Sequence, residues 1–359
     1  MAVAETAHEH HEHHEHGEFI AHHFDTPEQQ FDSGKLGIWV FLVTEVLFFS
    51  GLFVAYTLWR FHHPEIYEQA HVHLDKYLGA LNTIVLLFSS LTIAWGVRSA
   101  QLGNNRNVAI LTLITMVCAA MFIGVKAVEY SHKWDQGILV RSAFTYTPGH
   151  DHHASATMPM AVSLGISDWL LKLSIVPTIL LLGFVLASVV TALMQKSLAA
   201  KFFAGMAITI GGYFLGAVGG HFYMEATGGG AGGKHAQFQS SAPIVLHADE
   251  KAKQADGGHA DQGHDSPSHM SAAPLEGQIS PQEKQDRDIG IFFSIYYCMT
   301  GLHAIHIIGG IAALAWIFYR SLAGHWRPDY FGPVDYVGLY WHLVDLIWIY
   351  LFPMLYLID

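Results

Sequence analysis

The sequence predicts an all-α integral membrane protein with seven transmembrane helices. Of its 359 residues, 52% are hydrophobic and 13% are charged, whereas soluble domains carry about 25% charged residues. Seven stretches also reach the roughly 20 apolar residues that a helix needs to cross a bilayer. Because a segment in lipid must satisfy its own backbone hydrogen bonds, these stretches should be helices. They are residues 36–59, 77–97, 108–128, 169–194, 202–224, 289–319 and 336–358.

The first 34 residues predict a disordered tail. They contain eight His and eight acidic residues but no Lys or Arg, so they cannot bury an apolar core. Imidazoles are good ligands for Zn²⁺ and Cu²⁺, and the run HEHHEHHEH could bind either ion. The alternative is an acidic tail without a metal site, which we favour because the spacing defines no preformed site. The candidate ligands are His8, His10, His11, His13, His14 and His16.

The links between the spans organise the rest of the chain. Spans one to three follow each other through the polar links RFHHPEIYEQAHVH and LGNNRN. A long segment then contains spans four and five, which are joined by QKSLAAK. It ends in the Gly- and His-rich stretch 225–286, whose composition is typical of a flexible loop. The last two spans are joined by RSLAGHWRPDYFGPVD.

Basic residues in the short links favour a cytoplasmic N-terminus, because cytoplasmic loops carry more Lys and Arg. In that orientation the first span serves as the insertion signal and the loop 225–286 faces outward. The cytoplasmic links would hold Arg98, Arg106, Lys196, Lys201, Arg320 and Arg327, against Arg60, Lys76, Lys133 and Arg141 on the opposite side.

Ionisable residues inside the spans mark candidate sites, because such groups are costly in a bilayer. Glu45 lies in the middle of the first span. One interpretation is a proton-active carboxyl or a partner for a lipid headgroup. The other is an interhelical hydrogen bond without a role in proton transfer. Its position alone leaves both open.

Two further pairs of ionisable residues are spaced i, i+3, so each pair shares one helix face. His303 and His306 could ligate a metal or haem, but we favour interhelical hydrogen bonding, because the other spans supply only His221 and His342. His342 and Asp345 could neutralise each other, more as a structural clamp than as a proton relay. Glu129 ends the third span, with Lys126 one turn earlier, and is expected at the membrane interface. Cys118 and Cys298 form no CxxC motif and are expected to pack.

Five segments carry motifs that occur in the same order in a known family. They are WVFLVTEVLFFSGLFVAY around Glu45, LNTIVLLFSSLTIAWGVRS, VKAVEYSHKW, GLHAIHIIGG and YWHLVDLIWIYLFP. In this order they resemble the cytochrome c oxidase subunit III family of the haem-copper oxidases. The resemblance implies a bundle in which five spans match the family's third to seventh helices. The resemblance implies that the family's first two helices have no counterpart in this sequence.

Spans four and five are not covered by the resemblance and are interpreted as an insertion. We expect them to extend the bundle or to occupy the space left by the missing first pair. The chain is therefore divided into a tail (1–34), subunit III-like helices (35–134), an insertion (135–224), a flexible loop (225–287) and subunit III-like helices (288–359).

The resemblance implies a non-catalytic accessory subunit of an aa3-type, proton-pumping cytochrome c oxidase in aerobic respiration. The expected location is the bacterial inner membrane. Such a subunit stabilises subunit I, contacts subunit II, binds phospholipid and sustains proton uptake. The redox groups haem a, haem a3, CuA and CuB are expected in subunits I and II, so this chain would hold no metal or catalytic residue.

The resemblance also implies residue roles. Glu45 matches the family's carbodiimide-reactive glutamate, which is associated with proton uptake or with lipid. The other motif residues are assigned packing and hydrogen bonding, namely Glu129, His303, His306, His342 and Asp345.

Three alternatives differ in the electron donor or in the functional class. A quinol oxidase, or a nitric-oxide-reductase-associated member of the family, would use the same kind of subunit. A metal-ion or solute transporter would explain the His-rich segments, but the spans lack facing carboxylate and His ligands and an inverted repeat. Membership of a larger respiratory assembly, docked through the loop 225–286, also stays open, and no nucleic-acid partner is expected.

Overall fold

The computed structural model describes residues 24–70, 73–138, 167–227 and 281–358. Within these ranges the chain forms helices and no strand, which confirms the predicted all-α class. The His-rich run of the tail and residues 228–280 of the predicted loop lie outside the described residues.

Seven of the described helices are long and apolar enough to cross a membrane, and each coincides with one of the seven predicted spans. Only the spans 169–194 and 336–358 run past the end of their helix, by one and two residues. A short eighth helix, α2, lies within the first predicted link. The first helix begins at Pro27, so residues 27–34 of the predicted tail are helical. The helices are α1 (Pro27–His62), α2 (Pro64–Ala70), α3 (Lys76–Gln101), α4 (Asn105–Asp135), α5 (Asp168–Leu193), α6 (Ser197–Thr227), α7 (Pro281–Leu322) and α8 (Gly332–Tyr356).

Side-chain caps explain where several helices begin. Thr26 accepts a hydrogen bond from the backbone N–H of Gln29 at 3.1 Å, directly before Pro27 at the first position of α1. Asp75 caps α3 in the same way, and Ser167 caps α5. Such caps satisfy backbone donors that have no partner inside the helix. The α3–α4 turn is tight because Gly103 adopts a φ of +70°, which glycine reaches without a steric penalty.

Helices α3, α4, α7 and α8 form a four-membered ring in which each helix packs against two neighbours. Large aromatic side chains fill its interior. Trp341 and Trp348 of α8 are fully buried, and their indole N–H groups donate to Ser89 and Thr83 of α3, each at 3.0 Å. Buried Trp side chains generally need such a partner for the N–H group. The hydroxyls therefore set the register between α3 and α8.

The helices α5 and α6 form a hairpin that packs on the outside of α4. Glycines allow close contact between α6 and α4. A Cβ added at Gly216 would lie 2.2 Å from the carbonyl oxygen of Met121, and one at Gly212 would lie 2.7 Å from that of Val117. On the α4 side, a Cβ at Gly124 would lie 2.1 Å from the carbonyl oxygen of Tyr213. Small residues at four-residue spacing are a common basis for helix association in membranes.

The hairpin thus extends the bundle at the α4 corner. Helix α1 packs on α8 and α7, at the opposite corner of the ring. It is anchored near its two ends, where Tyr336 of α8 donates to the carbonyl oxygen of Phe31 at 2.8 Å and Tyr56 donates to that of Met354. Between α1 and α7, α2 buries Tyr67, which donates to the carbonyl oxygen of Tyr56 at 3.1 Å. Burial raises the pKa of the Tyr67 phenol. The phenol therefore keeps its proton and continues to donate this hydrogen bond.

Replacing Gly216 with Ala should separate α6 from α4, whereas Gly211→Ala should not. The methyl group at position 216 meets a backbone carbonyl that cannot move without shifting α4, and overpacking typically costs about 1–3 kcal/mol. Gly211 lies on the same helix with nothing within 4 Å of an added Cβ. Thermal unfolding of the two variants in detergent measures the difference. Equal melting temperatures would contradict the proposed contact.

Candidate functional site

Glu45 of α1 and His306 of α7 lie together at mid-span. The imidazole Nε2 of His306 is 2.9 Å from the carboxylate Oε2 of Glu45. Its Nδ1 is 2.8 Å from the carbonyl oxygen of Leu302, one turn earlier on α7. Each side chain of the pair is 18% exposed. The structure therefore brings together two residues that the sequence places in different spans.

The second contact of His306 determines the position of one ring proton. A carbonyl oxygen only accepts, so Nδ1 must carry a hydrogen. The contact between Nε2 and Glu45 then requires one further proton, held by the carboxyl group or by the imidazole. Both states keep the hydrogen bond, as a neutral pair or as an imidazolium–carboxylate pair. Because Nδ1 is bound to a backbone carbonyl, the imidazole can hold this proton but has no second side chain to which to pass it.

Aromatic rings surround the pair. The Phe49 ring centroid is 5.1 Å from the imidazole centroid, and that of Phe48 is 6.3 Å away. Tyr340 of α8 donates its hydroxyl hydrogen to the carbonyl oxygen of His306 at 2.9 Å. An apolar surrounding strengthens the attraction within the pair. The Glu45–His306 pair also binds α1 to α7 at a depth where α1 has few other polar contacts.

A second polar site lies around Glu129, which is enclosed within the bundle. Its side chain is 2% exposed and accepts from Lys126 and Lys133 of the same helix, both at 2.8 Å. Tyr296 of α7 and Tyr356 of α8 donate to the same carboxylate at 2.8 and 2.7 Å. The carboxylate thus joins α4, α7 and α8.

Two amines share this one carboxylate, so the cluster carries more positive than negative groups. Lys126 gains further contacts from the Tyr356 hydroxyl at 2.5 Å and from the Trp348 ring at 4.8 Å. Lys133 lies 5.2 Å from the Tyr296 ring centroid. Aromatic faces attract cations when both are removed from water. Sequence reasoning missed Lys133 as a member, although its i, i+4 spacing from Glu129 on an apolar helix was a usable signal.

The predicted pairing of His342 with Asp345 is wrong. His342 instead contacts the hydroxyl of Ser90 on α3 through Nδ1, at 2.6 Å. Asp345 is 3% exposed and lies beside Ser89 and Ser90, but neither carboxylate oxygen has a hydrogen bond with good geometry among the described residues. The i, i+3 spacing places both side chains toward α3, where His342 contacts a serine hydroxyl and not Asp345.

His303 packs against aromatic rings and does not form the expected hydrogen bond. It is fully buried, and neither ring nitrogen has a hydrogen-bond partner within the described part of the chain. Its ring stacks on Trp348 at 5.4 Å and meets the Phe122 ring edge-on at 5.6 Å. The His221 ring of α6 lies 6.4 Å from that of Phe222, measured between centroids. No group of three or more His, Cys, Asp or Glu able to hold a metal occurs in the described ranges.

The motif-bearing helices and the hairpin differ in their match to known proteins. The sequence profile described as cytochrome c oxidase subunit III matches residues 12–136 and 286–359, which together exceed half of the chain. This chain belongs to the cytochrome c oxidase subunit III family. The predicted family is thereby confirmed. The matched stretches contain α1 to α4, most of α7 and all of α8, and the unmatched stretch contains the α5–α6 hairpin.

Individual subunit III relatives match over shorter stretches. Cytochrome c oxidase subunit 3 of Synechocystis sp. is 40% identical over 70 residues, 19% of this chain and 30% of that protein. That of Loxodonta africana is 32% identical over 153 residues, 38% of this chain and 55% of that protein. A heme-copper oxidase subunit I+III of Aeropyrum pernix is 35% identical over 72 residues, 20% of this chain and 9% of that protein. The chain therefore aligns with about half or less of each of these relatives.

Removing the carboxylate of Glu129 should destabilise this subunit III chain strongly. Glu129→Gln leaves two buried amines without a counter-charge, and breaking a buried pair in this way costs about 3–5 kcal/mol. Lys133→Met should cost less, because Lys126 and Glu129 remain as a matched pair. Thermal unfolding in detergent measures both, with Glu225→Gln at the exposed end of α6 as the control. A larger loss of thermal stability in Lys133→Met than in Glu129→Gln would contradict the view that two amines depend on this one carboxylate.

Proposed function

We propose that this chain is the accessory subunit III of an aa3-type, proton-pumping cytochrome c oxidase in a bacterial inner membrane. It stabilises subunit I, binds phospholipid and sustains proton uptake. Haem a, haem a3, CuA and CuB are held by subunits I and II, and this chain has no catalytic residue. Family membership supports the accessory role. The name of the Aeropyrum pernix relative, which joins subunits I and III in one protein, supports subunit I as the main partner.

The observation that carries the proton-uptake role is the Glu45–His306 pair. The pair holds one shared proton in an apolar surrounding, and the Leu302 carbonyl prevents onward transfer through the imidazole. A site of this kind stores a proton and does not conduct it. We therefore assign the pair as a proton reservoir beside the uptake route of subunit I, with Glu45 as the exchanging group and His306 as the residue that positions it.

The arrangement of the chain in the membrane is part of the proposal. The N-terminus lies on the cytoplasmic side, which places Arg98, Arg106 and Arg320 there as well. The stretch 135–224 is an insertion that extends the bundle at α4.

The proposal requires an oxidase partner. When this chain is purified from its native membrane through an affinity tag, a subunit containing haem a should co-purify in equal amount. The visible absorption spectrum and the subunit composition by mass spectrometry measure this. Purification without a haem-containing partner would overturn the proposal, and transport of a metal ion by the purified chain in vesicles would replace it.

Replacing Glu45 with Gln should lower steady-state turnover and the number of protons pumped per electron. The introduced amide can still donate a hydrogen bond to His306, so the helix contact is kept while proton exchange is lost. The loss should grow as the pH rises, because free protons become scarce and a local store matters more. Glu65→Gln, on the exposed face of α2, is the control. Unchanged turnover and pumping from neutral to alkaline pH would leave the pair a structural role only.

A further inference from the structure

An open groove lies at the end of the bundle where α1 begins and where α7 is linked to α8. Its volume is about 1160 Å³, and its walls are the segment Phe24–Gly34 and the link around Pro328–Pro333. Pockets for small ligands occupy about 300–1,000 Å³, so the groove has room for several residues of a peptide. The two walls are joined by the hydrogen bond from Tyr336 to the carbonyl oxygen of Phe31.

The groove combines aromatic rings with carboxylates. Phe31 lies between Phe331 at 5.3 Å and Tyr336 at 5.9 Å, measured between ring centroids. Glu28, Asp32 and Asp329 also line the walls, and none of the described lining residues is Lys or Arg. Glu28 is explained by its place in the first turn of α1, where a negative charge stabilises the helix dipole. Asp32 and Asp329 remain as exposed negative charges on the two opposite walls.

The edge of the groove already shows how a cation is held there. The amine of Lys35 lies 5.0 Å from the centroid of the Phe31 ring and 3.5 Å from the carboxylate of Asp335. A ring face and a carboxylate together attract an ammonium or guanidinium group. Asp32 and Asp329 offer a carboxylate beside the same cluster of rings, on the walls of the groove.

Charge argues against the chain's own tail as the occupant. Residues 1–23 contain five Glu and no Lys or Arg, so like charges would meet across the groove. A segment that carries Lys or Arg beside an apolar residue is complementary in both charge and surface. Electrostatic complementarity of this kind favours one partner over others.

We propose that this groove receives a Lys- or Arg-bearing segment of a neighbouring subunit at the same face of the membrane. The proposal rests on the proposed function, because it takes the chain to be one subunit of a larger complex. The groove proposal adds to that function the location of one contact between subunits and the kind of side chain that makes it. The basic side chain lies against the Phe31 cluster between Asp32 and Asp329.

Zero-length cross-linking of the intact, purified complex tests the contact directly. A water-soluble carbodiimide condenses a carboxylate with a neighbouring Lys amine, with loss of water, and mass spectrometry identifies the joined peptides. The link between Lys35 and Asp335 is the internal positive control. We expect additional links from Asp32 or Asp329 to a Lys of another subunit. Links from these two residues only to lysines of this chain, together with full retention of the charge-reversed variant described next, would overturn the proposal.

Charge variants cover the case in which the partner residue is Arg. The Asp32→Lys, Asp329→Lys double variant should lose more than half of its retention in the complex when the complex is washed at low salt. The Asp32→Asn, Asp329→Asn variant should lie between it and the unaltered chain. Glu65→Lys with Glu68→Lys, on the exposed face of α2, applies the same charge change elsewhere and should be retained fully.

The outcomes separate this contact from the wider function. Full retention of the Asp32→Lys, Asp329→Lys variant, together with a co-purifying haem a subunit, would overturn the groove contact and leave the oxidase assignment intact. Equal loss in the α2 control would also overturn it, because the effect would then follow overall charge. Absence of any haem a subunit from the unaltered chain would instead remove the proposed function.

Discussion

The carboxylate of Glu129 lies between two amines of its own helix, and two tyrosine hydroxyls from neighbouring helices complete its surroundings. The carboxylate and the two amines would each be costly in lipid alone, because a charge in a bilayer is costly. Together they satisfy each other only if α4, α7 and α8 meet at one register. The cluster therefore constrains three of the four core helices, and the indole hydrogen bonds of α8 extend the same register to α3.

Helices outside the ring of α3, α4, α7 and α8 are attached by different interactions. The α5–α6 hairpin is held to α4 by glycines that let two backbones approach closely, a contact that depends on shape and not on charge. Helix α1 has little buried surface along its span and relies on polar contacts near its ends and on the pair of Glu45 with His306. The glycine contacts hold the hairpin without involving the Glu129 cluster, so adding the hairpin leaves that cluster unchanged. This is consistent with an insertion between α4 and α7.

The two polar sites differ in what they can do chemically. In the Glu129 cluster the carboxylate accepts from four groups, so it has little freedom to rearrange without breaking the core. The Glu45–His306 pair forms one hydrogen bond that survives in either proton state. It lies between the loosely packed α1 and the core, where a small movement of α1 would change it. This difference is why the proton-active role is assigned to Glu45 and a structural role to Glu129.

The sequence by itself determined the seven spans and the family. Both follow from local information, since apolar length decides membrane insertion and the motifs are contiguous strings. Even the spacing of Lys126, Glu129 and Lys133 was available in the sequence. Only the tertiary structure decided which polar groups meet. Glu45 and His306 are 261 positions apart, and His342 binds Ser90 of α3 although Asp345 lies one turn away on its own helix. Spacing along a helix reports which residues share a face, whereas the neighbouring helix that faces them depends on packing of the whole bundle.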